Sequence, residues 1–218
     1  MKKLLNPKIF AIITIITSII CLLLSIFLNI FNNPEYLRLT AVLRNLISFV
    51  IYGNLFIIIY LIFFLIVKNK NSKVLNILLL ITLVISTVFG LFYGTISSIY
   101  KYITFAHAYN RLFLIINIFI TIFNILTVTV LKVLEILLVF GILTKKKLPY
   151  TIFTIIMLVI TIINSFISII TIIPYLRLLL SFINLFATII SLIYSCSFIL
   201  FLYSSVKNIS DNNNNNNN

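Results

Sequence analysis

Acidic residues are almost absent from this chain, which contains only Glu35, Glu135 and Asp211 among its 218 residues. Catalysis by paired carboxylic acids needs two such groups beside one bond. No two of these three residues are close in sequence, and the threading described below separates Glu35 and Glu135 towards opposite sides of a membrane. We therefore expect no catalytic acid pair.

Cysteine and histidine are equally scarce. Cys21 and Cys196 lie inside apolar runs, no C-x-x-C is present, and His107 is the single histidine. A zinc site needs three or four histidine, cysteine or carboxylate ligands, and this spacing indicates neither a metal site nor a disulfide framework. G-x-S-x-G, H-E-x-x-H, Walker A and G-x-G-x-x-G motifs are also missing. We expect a protein that is not an enzyme and that holds no metal or cofactor.

Charge of either sign is rare, because charged residues make up 9% of the chain against about 25% in soluble domains. Hydrophobic residues make up 62%, and the mean hydropathy is +1.26. Apolar runs of about 20 residues recur along the chain, which is typical of transmembrane helices. The sequence therefore predicts an all-α bundle of about six helices in a lipid bilayer.

The few charges are mostly basic, and the net charge is +13. Nucleic-acid binding would require a folded basic face or groove. Here the cations form short clusters between apolar runs, a pattern that topology signals and anionic lipid head groups explain. We expect the lipid bilayer as the partner and no nucleic acid.

Six spans can be placed along the chain, and the four prolines fall at or near their ends, where no amide donor is needed. The predicted spans are approximately 9–31, 45–67, 74–99, 112–143, 150–173 and 178–203, within one transmembrane domain of residues 1–204. The remaining 205–218 ends in an asparagine homopolymer that cannot bury apolar surface. We expect a disordered cytosolic tail there.

The lysine clusters give the orientation. Segments 68–73 and 144–149 carry three lysines each, and with the N-terminal lysines and Lys207 they place ten cations on one side against five on the other. By the positive-inside rule, both termini are predicted to be cytosolic. The sequence does not indicate which membrane.

A short pattern repeats at the outer side. Tyr precedes Arg by two residues, and Leu follows it, in three places, each opening the second helix of a hairpin. Both residue types favour the membrane interface. Either the chain is a triplicated two-helix hairpin, or the pattern is a coincidence of a biased composition. The predicted interface anchors are Tyr36, Arg38, Tyr109, Arg111, Tyr175 and Arg177.

The third span carries a small residue at every fourth position. Such stripes let helix backbones approach closely in lipid. The interpretations are packing within the chain, a seam between two copies, and a pore or hinge. The stripe consists of Thr82, Ser86, Gly90, Gly94 and Ser98.

The fourth span is too long for a simple crossing, because 112–143 would extend for about 48 Å against an apolar core of about 30 Å. Either it leaves the bilayer near Leu131, with Lys132 at the interface, or it is broken, or protein shields it. At 100° per residue, five of its polar residues share one face, which should not contact lipid. They are Asn117, Thr121, Asn124, Lys132 and Glu135.

Two interpretations of this face remain open. It lines a permeation route in which Glu135 accepts an ion or proton, or it joins helices, with Lys132 and Glu135 neutralising each other. The first favours a small transporter, channel or permease-type component. The second favours a non-transporting scaffold, an assembly factor or a lipid-interacting factor. A homo-oligomer or a membrane partner subunit is compatible with either, and ATP-driven transport would require a separate nucleotide-binding subunit.

Overall fold

In the computed structural model, the described part of the chain is entirely helical apart from short connections. It comprises residues 6–31, 38–68, 73–106, 111–144, 149–172 and 179–215, and near some helix ends it includes the backbone alone. The helices are α1 (Pro7–Phe31), α2 (Arg38–Lys68), α3 (Lys73–Ala106), α4 (Arg111–Thr144), α5 (Tyr150–Ile172) and α6 (Leu179–Asn215). All six contain segments long and apolar enough to cross a membrane. This confirms the predicted all-α membrane bundle.

Helices are the expected outcome for such runs, because lipid offers no hydrogen bonds and the backbone must satisfy its own polar groups. Local signals define two of the starts on the lysine-rich side. Asn6 Oδ1 accepts the Lys8 amide at 3.0 Å and so caps α1, with Pro7 as its first residue. The Pro149 carbonyl accepts the Ile152 and Phe153 amides at 3.0 and 3.2 Å at the start of α5.

Several helix ends differ from the predicted spans. α2 begins at Arg38 and α3 extends to Ala106, beyond the apolar stretches on which the spans were based. α6 continues through 205–215, where the sequence predicts a disordered tail. The packing gives a reason for the first part of this extension, because Ser205 and Val206 are buried in the bundle. The Ser205 hydroxyl donates to the Phe201 carbonyl at 2.7 Å, so the last buried turn lies beyond the predicted boundary.

The first and last helices close the bundle. α6 packs against α1, α2, α4 and α5, while α3 packs against α2 and α4. Between α1 and α6, the Thr14 hydroxyl donates to the Ser197 hydroxyl at 3.1 Å. The core is apolar, and Ile58, Leu79, Leu138, Phe201 and Leu202 are among its fully buried residues. Apolar side chains cover the outer faces of the helices, as expected for a surface in contact with lipid.

Candidate functional site

An ion pair on α4 is the most polar feature of the described bundle. Lys132 Nζ donates to Glu135 Oε2 at 2.7 Å, one helical turn away. The Glu135 side chain is 7% exposed and the Lys132 side chain 21% exposed. Both residues lie inside the apolar segment Ile118–Thr144. The pair is therefore turned to the interior of the bundle and away from its lipid-facing surface.

The packing around this pair bears on the sequence-based alternatives for α4. The helix is continuous from Arg111 to Thr144, so it is not broken, and Leu138, Val139 and Ile142 beyond the pair are core residues. At 1.5 Å per residue, Glu135 lies about 14 Å along the helix from Thr144, the last residue of the apolar segment. These contacts agree with the alternative in which protein shields an unbroken helix.

Helix α3 contacts the Lys132 side chain. Ser86 Oγ lies 3.4 Å from Lys132 Nζ, so the ammonium lies between a hydroxyl on α3 and the Glu135 carboxylate. One turn further along α3, the lysine side chain passes over Gly90. The small-residue stripe of α3 and the polar stripe of α4 therefore meet at Lys132, although nothing in the sequence indicates that the two stripes are in contact.

The rest of the α3 stripe is partly engaged within the chain. Thr82 and Ser86 are buried, and the Thr82 carbonyl accepts a hydrogen bond from the buried Asn54 amide of α2. The stripe thus contacts α2 on one side and α4 on the other over its described length. Gly94 and Ser98 belong to α3, but their surroundings lie outside the described residues.

The remaining members of the α4 stripe are less enclosed than Glu135. Thr121 and Asn124 are half-buried, while Phe119, Ile122 and Leu126 on the other side of the helix are exposed. The members of this stripe whose surroundings are described therefore face away from the most exposed side of α4. Asn117 lies within α4, and its side chain is outside the described part.

Two of the predicted interface anchors stand at helix starts. Arg38 and Arg111 are the first residues of α2 and α4, as the repeated hairpin requires. Their side chains lie outside the described residues, together with Tyr36, Tyr109, Tyr175 and Arg177. The hairpin repeat stays a prediction.

Three further residues converge near Glu135, and the sequence analysis did not single them out as a group. The rings of Tyr52 on α2 and Tyr194 on α6 meet edge to face, with centroids 5.7 Å apart. The Cys21 side chain on α1 lies beside Tyr52, and Tyr194 lies close enough to Glu135 to sense its charge. Single tyrosines in an aromatic-rich chain carry no periodic signal, so only the packing reveals this cluster.

An apolar groove opens elsewhere, between α1 and α6. It has a volume of about 380 Å³ and is lined by Leu24, Phe27, Phe182, Ile183 and Phe186. Its lining resembles the lipid-facing surface around it. In the part of the chain that the structure describes, no three His, Cys, Asp or Glu residues come together as a metal site would require.

Comparison of the chain with protein-family models, with curated proteins and with solved structures found no match.

Proposed function

We propose that this multi-pass integral membrane protein is a small transporter or permease-type component in which Glu135 binds and releases a proton or a monovalent cation. The observation that carries the proposal is the Lys132–Glu135 pair at 2.7 Å, enclosed by protein and near the middle of a membrane-crossing segment. Ionisable groups at that depth are costly and are associated with ion and substrate pathways.

Stability alone does not account for the pair. Removing two charges from water costs several kcal/mol per ion, and replacing a buried ion pair by apolar residues is often neutral or stabilising. An apolar pair at 132 and 135 would serve a purely structural helix contact equally well. Retaining the charges is understandable if the energy of the contact has to change during the working cycle.

The arrangement around Lys132 offers such a change. Its ammonium lies near two acceptors, the Glu135 carboxylate on its own helix and the Ser86 hydroxyl on α3. When Glu135 takes up a proton or another cation, the attraction to Lys132 weakens, and the ammonium is left with Ser86 as its neighbour. Binding of a proton or cation at Glu135 is thereby linked to the contact between α3 and α4. A link between ion binding and helix packing is what a coupled transporter needs.

The test is ion flux in liposomes that contain the purified full chain. Proton, sodium and potassium fluxes are measured separately under an imposed membrane potential. We expect flux above that of protein-free liposomes, and we expect it to be lost in Glu135→Gln when equal amounts of folded, reconstituted protein are compared. Thr127→Val is the matched control, because Thr127 is buried on the same helix and its hydroxyl donates to the Asn124 carbonyl. No flux for any of these ions, or equal flux in Glu135→Gln, would sink the proposal.

The second candidate is a non-transporting scaffold, assembly factor or lipid-interacting protein in which the pair only joins helices. It is favoured by the short contact within one turn of α4 together with Ser86, since the two charges satisfy each other locally. Lys132→Leu and Glu135→Leu would each leave one uncompensated buried charge, at a cost of about 3–5 kcal/mol. Loss of protein in both single variants would support this candidate if the double variant recovers normal protein abundance and the cells behave as with the unaltered chain.

Two further features belong to the proposal. Both termini face the cytosol, as the lysine clusters indicate. A homo-oligomer or partner subunit would have to use a surface other than that of Thr82 and Ser86, because these side chains are already buried within the chain.

A further inference from the structure

Two polar atoms in the middle of α5 are buried without a hydrogen-bond partner among the residues that the structure describes. They are Thr161 Oγ1 and Asn164 Oδ1. Thr161 as a whole is only 6% exposed. The two residues are three positions apart and therefore lie on one face of the helix. The two residues lie on a different helix from the polar stripe of α4, and neither takes part in the ion-pair site.

Thr161 departs from the behaviour of other threonines in this bundle. Threonine hydroxyls within these helices usually donate to a carbonyl of the preceding turn, as Thr14, Thr82 and Thr154 do at 2.7, 3.0 and 2.8 Å. Thr161 makes no such bond. Its hydroxyl is therefore free to bind another group, although an internal partner is normally within reach of a threonine in a helix.

The neighbouring hydroxyls on α5 do not provide that group. Ser165 Oγ donates to the Thr161 carbonyl at 2.9 Å, and Ser168 Oγ donates to the Asn164 carbonyl at 3.0 Å. Both hydroxyls are thus directed to the backbone. Their bonds leave the side-chain oxygens of Thr161 and Asn164 without a donor from the next turn.

The location makes these two atoms expensive to leave unsatisfied. Thr161 is the central residue of α5, and with Thr154 and Met157 it forms the buried face that packs against α4 and α6. No bulk water reaches the middle of a bilayer, and a polar atom without a partner there loses the hydrogen bonds it had in water. A small hydrogen-bond donor in contact with both oxygens would remove that penalty.

We propose that Thr161 and Asn164 form a binding site for one buried water molecule at the middle of the membrane. A buried water needs two to four polar partners. Asn164 Oδ1 accepts one of its hydrogens, and the Thr161 hydroxyl is its second partner. A metal cation fits less well, because both oxygens are neutral and burying a charge without a counter-charge is costly. The buried acid Glu135 is already paired with Lys132.

A double-mutant cycle on the purified full chain in nanodiscs tests this site through the melting temperature, Tm. Thr161→Val and Asn164→Leu each remove one partner of the water at similar side-chain volume. We expect each change to lower Tm by about 2–4 °C. We expect the double variant to lose no more than the larger single, because both changes remove the same water. Thr161→Ser, which keeps the hydroxyl, should retain the Tm of the unaltered chain.

The matched control is Thr154→Val on the same buried face, whose hydroxyl is already bonded to the Tyr150 carbonyl. Its effect should add to that of Asn164→Leu, because the two residues share no ligand. Additive effects of Thr161→Val and Asn164→Leu, or a rise in Tm in either, would overturn the proposal. A rise would mean that the two oxygens are dry and that their removal relieves a desolvation penalty.

A second arm separates water from a bound cation. Tm is measured in sodium, potassium and choline chloride at equal ionic strength. A water site predicts the same Tm in all three, whereas a Tm that rises with one cation and loses this dependence in Thr161→Val would replace the water by that cation. The water site is independent of the transport proposal, because every measurement that tests it is a melting temperature and every substitution lies on α5.

Discussion

The side chain of Lys132 lies so close to Gly90 that a Cβ atom added to the glycine would come within 3.0 Å of Lys132 Cε. Helices α3 and α4 therefore approach each other through a backbone without a side chain at the point where the lysine crosses. The same lysine is held by Glu135 and Ser86 at its ammonium end. The size of residue 90 consequently controls the position of the charge.

Enlarging residue 90 in two steps should separate crowding from loss of the ion pair. Alanine should cost less than about 1 kcal/mol, because its methyl group meets only the flexible end of the lysine, which can shift by a few tenths of an ångström. Leucine should cost about 1–3 kcal/mol and displace the ammonium from Glu135. Thermal unfolding of both variants measures this order. Equal losses for the two would contradict the close approach.

Gly141 is the sharper case of the same effect at the lysine-rich end of the bundle. A Cβ atom there would overlap the ring of Tyr150, the first residue of α5. Gly141→Ala should therefore destabilise the protein by about 1–3 kcal/mol. Combining it with Tyr150→Leu should recover part of the loss, and the Tm of the single and double variants checks this.

Gly53 is the control for both glycines, because nothing lies within 4 Å of a Cβ atom at that position. Gly53→Ala should stabilise α2 by up to about 1 kcal/mol, the usual preference of a helix for alanine over glycine. A loss of stability in Gly53→Ala comparable to that in Gly141→Ala would show that the helices resist any added methyl group.

The hydrogen bond between Thr14 and Ser197 should make a small but measurable contribution to the pairing of α1 and α6. The single hydroxyl hydrogen of Thr14 is shared between Ser197 and the Phe10 carbonyl at 2.7 Å, and the Ser197 hydroxyl donates to the Tyr194 carbonyl at 2.9 Å. Each hydroxyl therefore keeps a bond to its own helix when the other is removed. The cycle of Thr14→Val and Ser197→Ala should give a coupling of about 0.6 kcal/mol. Thr129→Val, at an exposed site with the same local bond, should show no coupling with Ser197→Ala.

The orientation can be tested by labelling from one side of the membrane. Lys73 and Val42 are both exposed and lie towards opposite ends of the bundle, near the start of α3 and the start of α2. In a background without Cys21 and Cys196, an impermeant maleimide added to sealed membrane vesicles whose cytosolic face is outward should label Lys73→Cys and leave Val42→Cys unlabelled. The reverse pattern would contradict cytosolic termini.

The sequence predicts the six helices because apolar length is a local property, and lipid leaves the backbone no alternative to internal hydrogen bonds. The same local arithmetic predicts that Lys132 and Glu135 share one face, and the two side chains do meet. It does not predict where a helix ends when the signal weakens. Arg38 belongs to α2 and Asn215 to α6, although both residues lie outside the apolar runs.

The partners of these residues could not be predicted, because helical periodicity carries no information about which faces meet. Ser86 lies 46 positions from Lys132, and no feature of either stripe identifies the other as its neighbour. The contact between Tyr52 and Tyr194 depends on the packing of α2 against α6 in the same way. Thr161 shares the helical spacing of the other polar residues on α5, but its missing partner appears only when the neighbouring helices are in place.

The pairing of α1 with α6 has a consequence for the order of assembly. The ribosome delivers α1 first and α6 last, yet Thr14 depends on Ser197 for its contact across the two helices. Until α6 enters the bilayer, the face of α1 that carries Thr14 has no partner helix, although α2 can already pack against α1. Completion of the bundle is therefore a late event that follows insertion of the last helix, and a chain interrupted before α6 lacks the partner of the Thr14 face of α1.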